Sequence, residues 1–523
     1  MFSLSGLFLL SASAALAQFV PAPRDLINAT GYMNIPVRYK EVPTGICELD
    51  PNVKSYSGYV DVAENEHIFF WFFESRNVEP TDAPLSVWIN GGPGSSSMIG
   101  LFQELGPCGI DFDGNVYSNP YSWSNVSNML FIDQPTQVGF SYSIPVNGYV
   151  DSSSGAIITL PDATCPDYAS DTESCGTYSY PNLTLTANTT SDAAPNFYKT
   201  LQGFMGAFKK YSRKSFHFAT ESYGGHYGPI FNEYIEKQNA KNIPGAHKIS
   251  LKSVMIGNGC VQAQFYNNLY GTGNCVDQIK DCAARGINED AFCANLVESI
   301  YDIYLDRDEY DVRELNEDPF PYGFFVDYLN TPEVQAAIGA YQNYSESSNA
   351  VYTAFTSTGD DNRESGTVQA VGKLLKQGIT VMLYAGDADY NCNWLGGQAV
   401  AHEVDAPGFE CAGYVNLTTS DGIVHGQVKQ AGKFSFVRIY ESGHEVPFYQ
   451  PIAALEIFER AINGLDIATG ETTPDASYLT VGTKESTFRE GNATIQFQVL
   501  PANATYNNNL NEPNPSKRDL QKV

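Results

Sequence analysis

Short apolar runs, rich in β-branched and aromatic residues, recur along most of the chain and predict β-strands. Most of these runs are continuous rather than alternating, which is typical of strands buried on both faces of a mostly parallel sheet. The predicted strands are Asp61–Ser75, Leu85–Asn90, Met129–Asp133, Phe216–Thr220, Leu251–Ile256, Thr380–Tyr384 and Phe434–Ile439.

Amphipathic stretches lie between the apolar runs and predict helices, notably over Pro195–Tyr211 and Ile452–Asn463. The alternation of strand and helix favours an α/β fold. A Ser-, Thr-, Pro- and Asn-rich segment at 145–192 predicts a surface insertion. Residues 260–341, with four Cys and acidic helical sequence, predict an inserted cap.

The predicted core therefore falls into two parts, and both ends of the chain carry further segments. Residues 1–17 end in an apolar run and Ala-Leu-Ala, which is typical of a signal peptide. The predicted parts are a short candidate propeptide at 18–30, core at 31–259 and 342–470, a C-terminal extension at 471–506 and a disordered tail at 507–523.

The amino-acid composition limits the kinds of molecule that the protein can bind. The 523 residues include 43% hydrophobic side chains and carry a formal net charge of −29. Such a surface repels nucleic-acid phosphates and anionic lipid, so we expect neither nucleic acid nor membrane as a partner. The acidity is consistent with a working pH below neutrality, because protonation relieves self-repulsion. It is equally consistent with solubility alone.

Cysteines and glycosylation sequons agree with a secretory chain. Ten Cys are present, and proximity in sequence suggests the pairs Cys165–Cys175 and Cys282–Cys293. Zinc-binding motifs are missing from the sequence, and we expect neither a metal nor a cofactor. Eight N-x-S/T sequons predict glycans at Asn28, Asn125, Asn182, Asn188, Asn343, Asn416, Asn492 and Asn503.

The segment Thr220–His226 (TESYGGH) follows a predicted strand and precedes a predicted helix. A serine on such a sharp turn presents its hydroxyl above the sheet edge as a nucleophile, here Ser222. Thr220 stands where the usual G-x-S-x-G pattern has glycine. The segment therefore predicts that Ser222 is a nucleophile, although Thr220 departs from the usual motif.

A serine hydroxyl needs a base, and the base needs an orienting acid. Asp387 follows the predicted strand at 380–384, and His444 follows the predicted strand at 434–439. The chain order Ser, Asp, His is that of the α/β-hydrolase architecture. We therefore predict a triad of Ser222, Asp387 and His444.

A glycine-rich loop, Asn90–Ser95 (NGGPGS), follows another predicted strand. It lacks the Lys-Ser/Thr pair of a phosphate-binding loop. Glycines also let backbone N–H groups approach a developing oxyanion. We predict that the N–H groups of Gly92 and Tyr223 form an oxyanion hole.

Six motifs in order resemble the serine carboxypeptidase family, and closest are its secreted fungal members. They cover about residues 59–464 and read WINGGPGSSS, DQPTQVGFSYS, ESYGGHYGP, IGNG, YAGDADYNCNWLGG and SGHEVPFYQP. The resemblance implies an α/β-hydrolase fold with a mostly parallel sheet, flanking helices and a helical cap. It also implies a secreted enzyme that releases C-terminal amino acids from peptides and proteins at acidic pH through an acyl-enzyme.

The family's positions for gripping the substrate's terminal carboxylate match Trp88, Asn90, Glu104 and Glu221. Two acids packed together near a carboxylate should have raised pKa values and donate hydrogen bonds while neutral. We hypothesise that Glu445 lines the pocket for the leaving residue and favours a basic one.

Several alternatives stay open from sequence. An esterase or acyltransferase could use the same scaffold, because fold does not fix function, and a non-catalytic glycoprotein is a third hypothesis. Cys392 matches a position that is a free thiol in some relatives, yet Cys411 is close enough in sequence to pair with it. The short propeptide favours secretion over vacuolar storage.

Overall fold

The structure is a computed structural model that describes residues 19–169, 174–212, 214–259, 308–314, 321–360 and 366–486, with short pieces at 506–507 and 512–513. The predicted signal peptide, most of the predicted cap and nearly all of the predicted tail lie outside these residues. So do the predicted Cys282–Cys293 pair and the sequons at Asn492 and Asn503.

Each predicted strand and helix coincides with at least one observed element, and further strands and helices that were not predicted occur along the chain. The strands are β1 (Ile27–Thr30), β2 (Pro36–Val42), β3 (Ser55–Ala63), β4 (Glu66–Phe73), β5 (Leu85–Ile89), β6 (Cys108–Ile110), β7 (Val116–Ser118), β8 (Asn128–Ile132), β9 (Pro145–Val150), β10 (Ile157–Thr159), β11 (Ser174–Ser179), β12 (Phe216–Glu221), β13 (Leu251–Gly257), β14 (Thr380–Gly386), β15 (Val415–Thr418), β16 (Val424–Ala431) and β17 (Phe434–Ile439). The helices are α1 (Thr190–Ala207), α2 (Gly224–Lys241), α3 (Phe324–Leu329), α4 (Pro332–Ile338), α5 (Asn349–Thr358), α6 (Thr367–Lys376), α7 (Trp394–Glu403), α8 (Val446–Tyr449) and α9 (Pro451–Asn463).

Within the described residues, one twelve-stranded sheet runs in the order β1-β2-β3-β4-β8-β5-β12-β13-β14-β17-β16-β15. Its centre, from β8 to β17, is parallel, whereas β1 to β4 and β15 to β16 pair antiparallel at the two sides. The continuous apolar runs supply the parallel centre. The predicted α/β class with a mostly parallel core is therefore confirmed.

Both faces of the sheet are covered, and β4 shows how. Its even-numbered side chains, Phe70 and Phe72, contact Phe204 of α1. Its odd-numbered Trp71 contacts Phe102 on the opposite face. Successive side chains of a strand point to opposite faces, so an uninterrupted aromatic run serves two cores at once.

The run Asp61–Ser75, predicted as one strand, is two. A turn at Glu64 and Asn65 separates β3 from β4, which pair antiparallel. The predicted insertion at 145–192 carries a separate three-stranded sheet of β9 to β11 and the first residues of α1.

Disulfides agree in part with the sequence. Cys165–Cys175 is confirmed, and Cys47–Cys108 joins residues that proximity did not suggest. Cys392 is disulfide-bonded, whereas Cys411 is free and exposed. Cys392 is thus neither a free thiol nor paired with Cys411. These bonds indicate an oxidising compartment such as the secretory pathway.

The sequon asparagines differ in accessibility. Asn28, Asn188 and Asn416 are exposed, and Asn125 and Asn182 are half-buried. Asn343 is only 7% exposed. Its Oδ1 accepts from Thr177 N at 2.8 Å, and its Nδ2 donates to Asn330 Oδ1 at 3.4 Å. Burial and these two hydrogen bonds make Asn343 the least accessible of the six described sequon asparagines.

No helix among the described residues is both long enough and apolar enough to cross a membrane.

Candidate active site

The predicted site residues lie at the carboxyl ends of parallel strands. Asn90 follows β5, Ser222 follows β12, Asp387 follows β14, and His444 comes shortly after β17. Parallel strands end at the same edge of a sheet, which is where open α/β folds place their sites. The tertiary structure therefore brings distant parts of the chain together.

Ser222 has a φ of 57°, which is rare for a residue with a side chain. Its N–H donates to Gly257 O at 3.1 Å, and its carbonyl accepts from Gly225 N at 2.8 Å as α2 begins. This strained turn between strand and helix is the predicted nucleophile elbow.

Thr220 replaces the usual glycine without opening the elbow. Its Oγ1 donates to Ile89 O at 2.7 Å, and the side chain is fully buried. A Cβ at Gly224 would collide with that hydroxyl. Because Gly224 has no side chain, the Thr220 side chain fits beside it, and the turn can accept Thr where the usual motif has glycine.

The ring of His444 is held by Asp389. His444 Nδ1 lies 2.7 Å from Asp389 Oδ2, and both residues are buried. Asp389 Oδ2 also accepts from Asn258 Nδ2 at 2.7 Å, and Asp389 Oδ1 accepts from Cys392 N at 3.1 Å. With Nδ1 bonded to Asp389, Nε2 is the ring nitrogen that is free to serve Ser222 as a base.

The prediction that Asp387 orients His444 is wrong. Asp387 Oδ2 accepts from Arg438 at 3.0 Å (Nη2) and 3.2 Å (Nε), and Asp387 Oδ1 accepts from Glu441 N at 2.9 Å. Arg438 also lies over the ring of Trp394. Asp387 is therefore a structural ion-pair partner, and the carboxylate two residues later takes the role at the imidazole.

Asn258 was not predicted as a site residue. Besides its bond to Asp389, its Oδ1 accepts from Gly386 N at 3.0 Å, and its φ is 40°. It lies in the IGNG motif at the end of β13, between the strands that carry Ser222 and Asp389. The feature of the sequence that could have indicated Asn258 as a site residue is its position directly after a predicted strand.

Burial alone would lower the pKa of His444, because it disfavours the charged ring. The negative charges of Asp389, Glu221 and Glu445, with the hydrogen bond to Asp389, outweigh burial and raise the pKa to about 9. The imidazolium that forms when a base takes a proton is therefore strongly stabilised here.

The glycine-rich loop lies against the elbow. A Cβ at Gly91 would collide with Tyr223 N and lie 2.8 Å from Ser222 Cβ. Gly92 has a φ of 106°, which favours glycine. Gly91 and Gly92 line the same cavity as Ser222. These contacts place the loop backbone beside the nucleophile, as an oxyanion hole made by Gly92 and Tyr223 requires.

A buried polar cluster lies next to Ser222. Asn90 Nδ2 donates to Glu221 Oε1 at 2.7 Å and reaches Glu104 Oε1 at 3.5 Å. Asn90 Oδ1 accepts from Trp88 Nε1 at 2.7 Å and from Gly100 N at 3.0 Å. These two donors fix the amide so that its NH₂ faces the two glutamates.

The four predicted carboxylate binders hold different places in this cluster. Asn90 and Glu221 line the cavity that contains Ser222. Trp88 and Glu104 are buried behind them, and the indole N–H of Trp88 is used by Asn90. The structure thus gives Trp88 a positioning role rather than the predicted direct contact with substrate.

The clustered glutamates have raised pKa values. Burial raises the pKa of Glu104 well above its usual range, and the charges of Glu221 and Glu445 add to this. Burial also raises the pKa of Glu221, against the opposing charge of His444. Both carboxyls therefore take up a proton at higher pH than an exposed glutamate does.

A cavity of about 310 Å³ contains Ser222 and His444 and is lined by several acids. Glu445 is on its wall, and its buried Oε2 has no hydrogen-bond partner among the residues that the structure describes. Burial and the charge of Glu221 raise the pKa of Glu445 well above its usual range. The other acidic lining residues are Glu221, Asp308 and Glu346.

Asp389, Cys392 and His444 are close enough together to suggest a metal site. The sulfur of Cys392 is disulfide-bonded, however, and is not a thiolate ligand. The donor set therefore does not fit a metal.

The sheet, the strained serine and the paired imidazole and carboxylate define an α/β-hydrolase built for serine chemistry. The serine carboxypeptidase family profile matches residues 45–279 and 271–464. Carboxypeptidase S1 homolog A of Arthroderma otae is 38% identical, and the match covers 90% of this chain and 84% of that protein. Carboxypeptidase S1 of Penicillium janthinellum is 36% identical over 82% of this chain and 99% of its own length.

The chain belongs to the serine carboxypeptidase family and is a serine-type carboxypeptidase. Among solved structures, that of Kex1(delta)p, a prohormone-processing carboxypeptidase from Saccharomyces cerevisiae, superposes with a TM-score of 0.61. It is 21% identical and covers 82% of this chain and 96% of its own. That likeness supports the fold.

Proposed function

We propose that this carboxypeptidase is secreted and releases C-terminal residues from peptides at acidic pH through an acyl-enzyme on Ser222. The observation that carries the proposal is the bond between His444 Nδ1 and Asp389 Oδ2 beside a cavity that also contains Ser222. Secretion is supported by the predicted signal peptide and by the disulfides.

In the first step, His444 Nε2 takes the proton of Ser222 Oγ as the hydroxyl attacks the last peptide carbonyl. The new C–O bond gives a tetrahedral oxyanion, which the N–H groups of Gly92 and Tyr223 stabilise. The protonated His444 then donates its proton to the leaving amine, and the C–N bond breaks. Water, deprotonated by the same imidazole, hydrolyses the acyl-enzyme and frees Ser222.

Exopeptidase specificity would come from Asn90 and Glu221, which line the cavity next to the nucleophile. Asn90 Nδ2 and a protonated Glu221 can each donate a hydrogen bond to the substrate's terminal carboxylate. Glu104 is buried behind them, and its pKa is also raised. Ionisation of this cluster would repel the substrate, which supports binding at acidic pH.

The pH requirement of His444 is opposite to that of the glutamates, because the imidazole must be neutral to act as a base. Its pKa is raised to about 9 partly by the charges of Glu221 and Glu445. Both glutamates have raised pKa values and become neutral as the pH falls. Their neutralisation lowers the pKa of His444, which offsets part of the protonation of the base that a fall in pH causes.

The test uses the purified protein and one peptide in two forms, with a free and an amidated C-terminus, at about pH 4–5. We expect stepwise loss of residues from the free form only, and covalent labelling of Ser222 by a serine-directed phosphonate. A Ser222→Ala variant should show neither reaction. Equal cleavage of both forms would contradict carboxylate recognition and favour an esterase-like or endopeptidase activity.

A further inference from the structure

A short stretch within the predicted cap, residues 308–314, contacts both of the loops that carry the proposed acid and base. The acid loop, residues 387–391, follows β14 and contains Asp389. The base loop, residues 440–445, follows β17 and contains His444. Because β14 and β17 are neighbouring parallel strands, the two loops emerge side by side, and residues 308–314 form a bridging segment across them.

Backbone hydrogen bonds join the bridging segment to both loops. The bonds to the acid loop are Tyr390 N to Glu309 O at 3.0 Å, Asn391 N to Glu309 O at 3.0 Å and Val312 N to Ala388 O at 2.9 Å. In the base loop, His444 N itself donates to Tyr310 O at 2.9 Å. The bridging segment therefore holds the backbone on both sides of Asp389 and the backbone of His444.

A side-chain network centred on Arg313 fixes the bridging segment in place. Arg313 Nε donates to Asp311 Oδ1 at 2.8 Å, and Arg313 Nη2 donates to Asp311 Oδ2 at 2.6 Å. Arg313 Nη1 donates to Glu441 Oε2 of the base loop at 3.0 Å. The side chain of Asp311 is 0% exposed, so the guanidinium compensates a buried charge and also reaches the base loop.

Glu441 has an unusual backbone conformation, with a φ of 51°. Its N–H donates to Asp387 Oδ1 at 2.9 Å, and its side chain is paired with Arg313. A residue with a side chain adopts this conformation at a cost in free energy, and keeps it where its surroundings determine it. The pair with Arg313 is one such determinant, and it acts three residues before His444.

We propose that Arg313 is a positioning residue for the reaction. Its two ion pairs hold the bridging segment across both loops and thereby fix the imidazole of His444 against the carboxylate of Asp389. The inference rests on the proposed function, since it concerns the same acid and base. A planar guanidinium can meet two carboxylates at once in a fixed geometry, which a single ammonium group does less well.

The experiment compares kcat and KM for one peptide substrate between the intact protein and Arg313→Met, which keeps most of the side chain's length but removes its charge and its donors. We expect kcat to fall by about 10- to 100-fold and KM to stay within about threefold, because the change displaces the base rather than the residues that bind the substrate. Arg313→Lys should recover part of the lost kcat, since it restores the charge. Active sites are counted by titration with the serine-directed phosphonate, so that unfolded protein does not lower kcat.

Arg38→Met is the matched control. Arg38 also pairs bidentately with an aspartate, Asp61, at 2.9 and 2.6 Å, and it lies over the ring of Tyr59 as Arg313 lies over that of Tyr449. It is on β2, however, at the antiparallel side of the sheet. This variant should lower the midpoint of denaturant unfolding and leave kcat per active site within about twofold.

A milder variant keeps the proposal testable if Arg313→Met does not fold. Glu441→Met breaks the link to the base loop and leaves the pair between Arg313 and Asp311 in place, and we expect it to lower kcat by about tenfold. Unchanged kcat in Glu441→Met, or a kcat in Arg313→Met as high as in Arg38→Met, would overturn the positioning role and leave the proposed function in place. Failure of the intact protein to hydrolyse the peptide would overturn both.

Discussion

Asp389 Oδ2 lies 2.7 Å from His444 Nδ1, whereas Asp387, two residues earlier, is bonded to Arg438. The two aspartates share one loop after β14 but serve different partners. Substituting one aspartate therefore leaves the contacts of the other in place, so that effects on catalysis and on folding stability can be measured separately.

Asp389→Asn should lower kcat by about 10⁴-fold, because an orienting acid holds the imidazole in its active tautomer. Asp387→Asn should leave kcat within tenfold and instead reduce the free energy of unfolding by on the order of 3 kcal/mol, since it removes the carboxylate that lies 3.0 Å from the buried guanidinium of Arg438. Steady-state kinetics and denaturant unfolding of both variants test this. The opposite pattern would restore Asp387 to the triad.

Peptidase KM should rise with pH, because ionisation of the Glu104 and Glu221 cluster places negative charge where the substrate carboxylate binds. Both pKa values are raised, so the neutral, binding form persists above the usual range of a glutamate. KM for a neutral ester should change less. Glu221→Gln should flatten the peptide curve, and parallel curves for peptide and ester would count against the mechanism.

At a pH high enough to ionise Glu445, Glu445→Gln should reduce the preference for a C-terminal Lys or Arg by about tenfold in kcat/KM relative to Leu, since it removes a charge from the wall of the cavity. Glu445→Met should have at least as large an effect. Glu403→Gln, the same change on an exposed residue of α7, is the control. An unaltered Lys/Leu ratio would end the proposed role of Glu445.

The same Glu445→Gln variant should shift the acid limb of the pH profile for a neutral ester. The charge of Glu445 raises the pKa of His444, so its loss lowers that pKa and extends activity to lower pH. The measurement is kcat/KM against pH for the intact protein and the variant. If the acid limb of kcat/KM stays at the same pH or moves to higher pH in the variant, Glu445 does not raise the pKa of His444.

The central strands, the nucleophile and the base could be read from local pattern. A continuous apolar run indicates a buried strand, and Ser222 directly follows one such run whereas His444 comes shortly after another, so parallel pairing brings the two residues to the same edge of the sheet. The choice between Asp387 and Asp389 could not be read in this way, because both follow β14 and differ only in which side of the loop each carboxylate faces. That orientation depends on Arg438 and Asn258, which come from other strands.

Burial and pairing likewise belong to the tertiary structure. A sequon at Asn343 looks like any other until the fold encloses its amide, and Cys47 finds Cys108 only because the chain returns after 61 residues. The burial of the Glu445 carboxyl beside other acids likewise cannot be read from the sequence. Local pattern determines what a segment can form, since it depends on neighbouring residues. Which groups meet, and which stay unpaired, depends on contacts between distant residues.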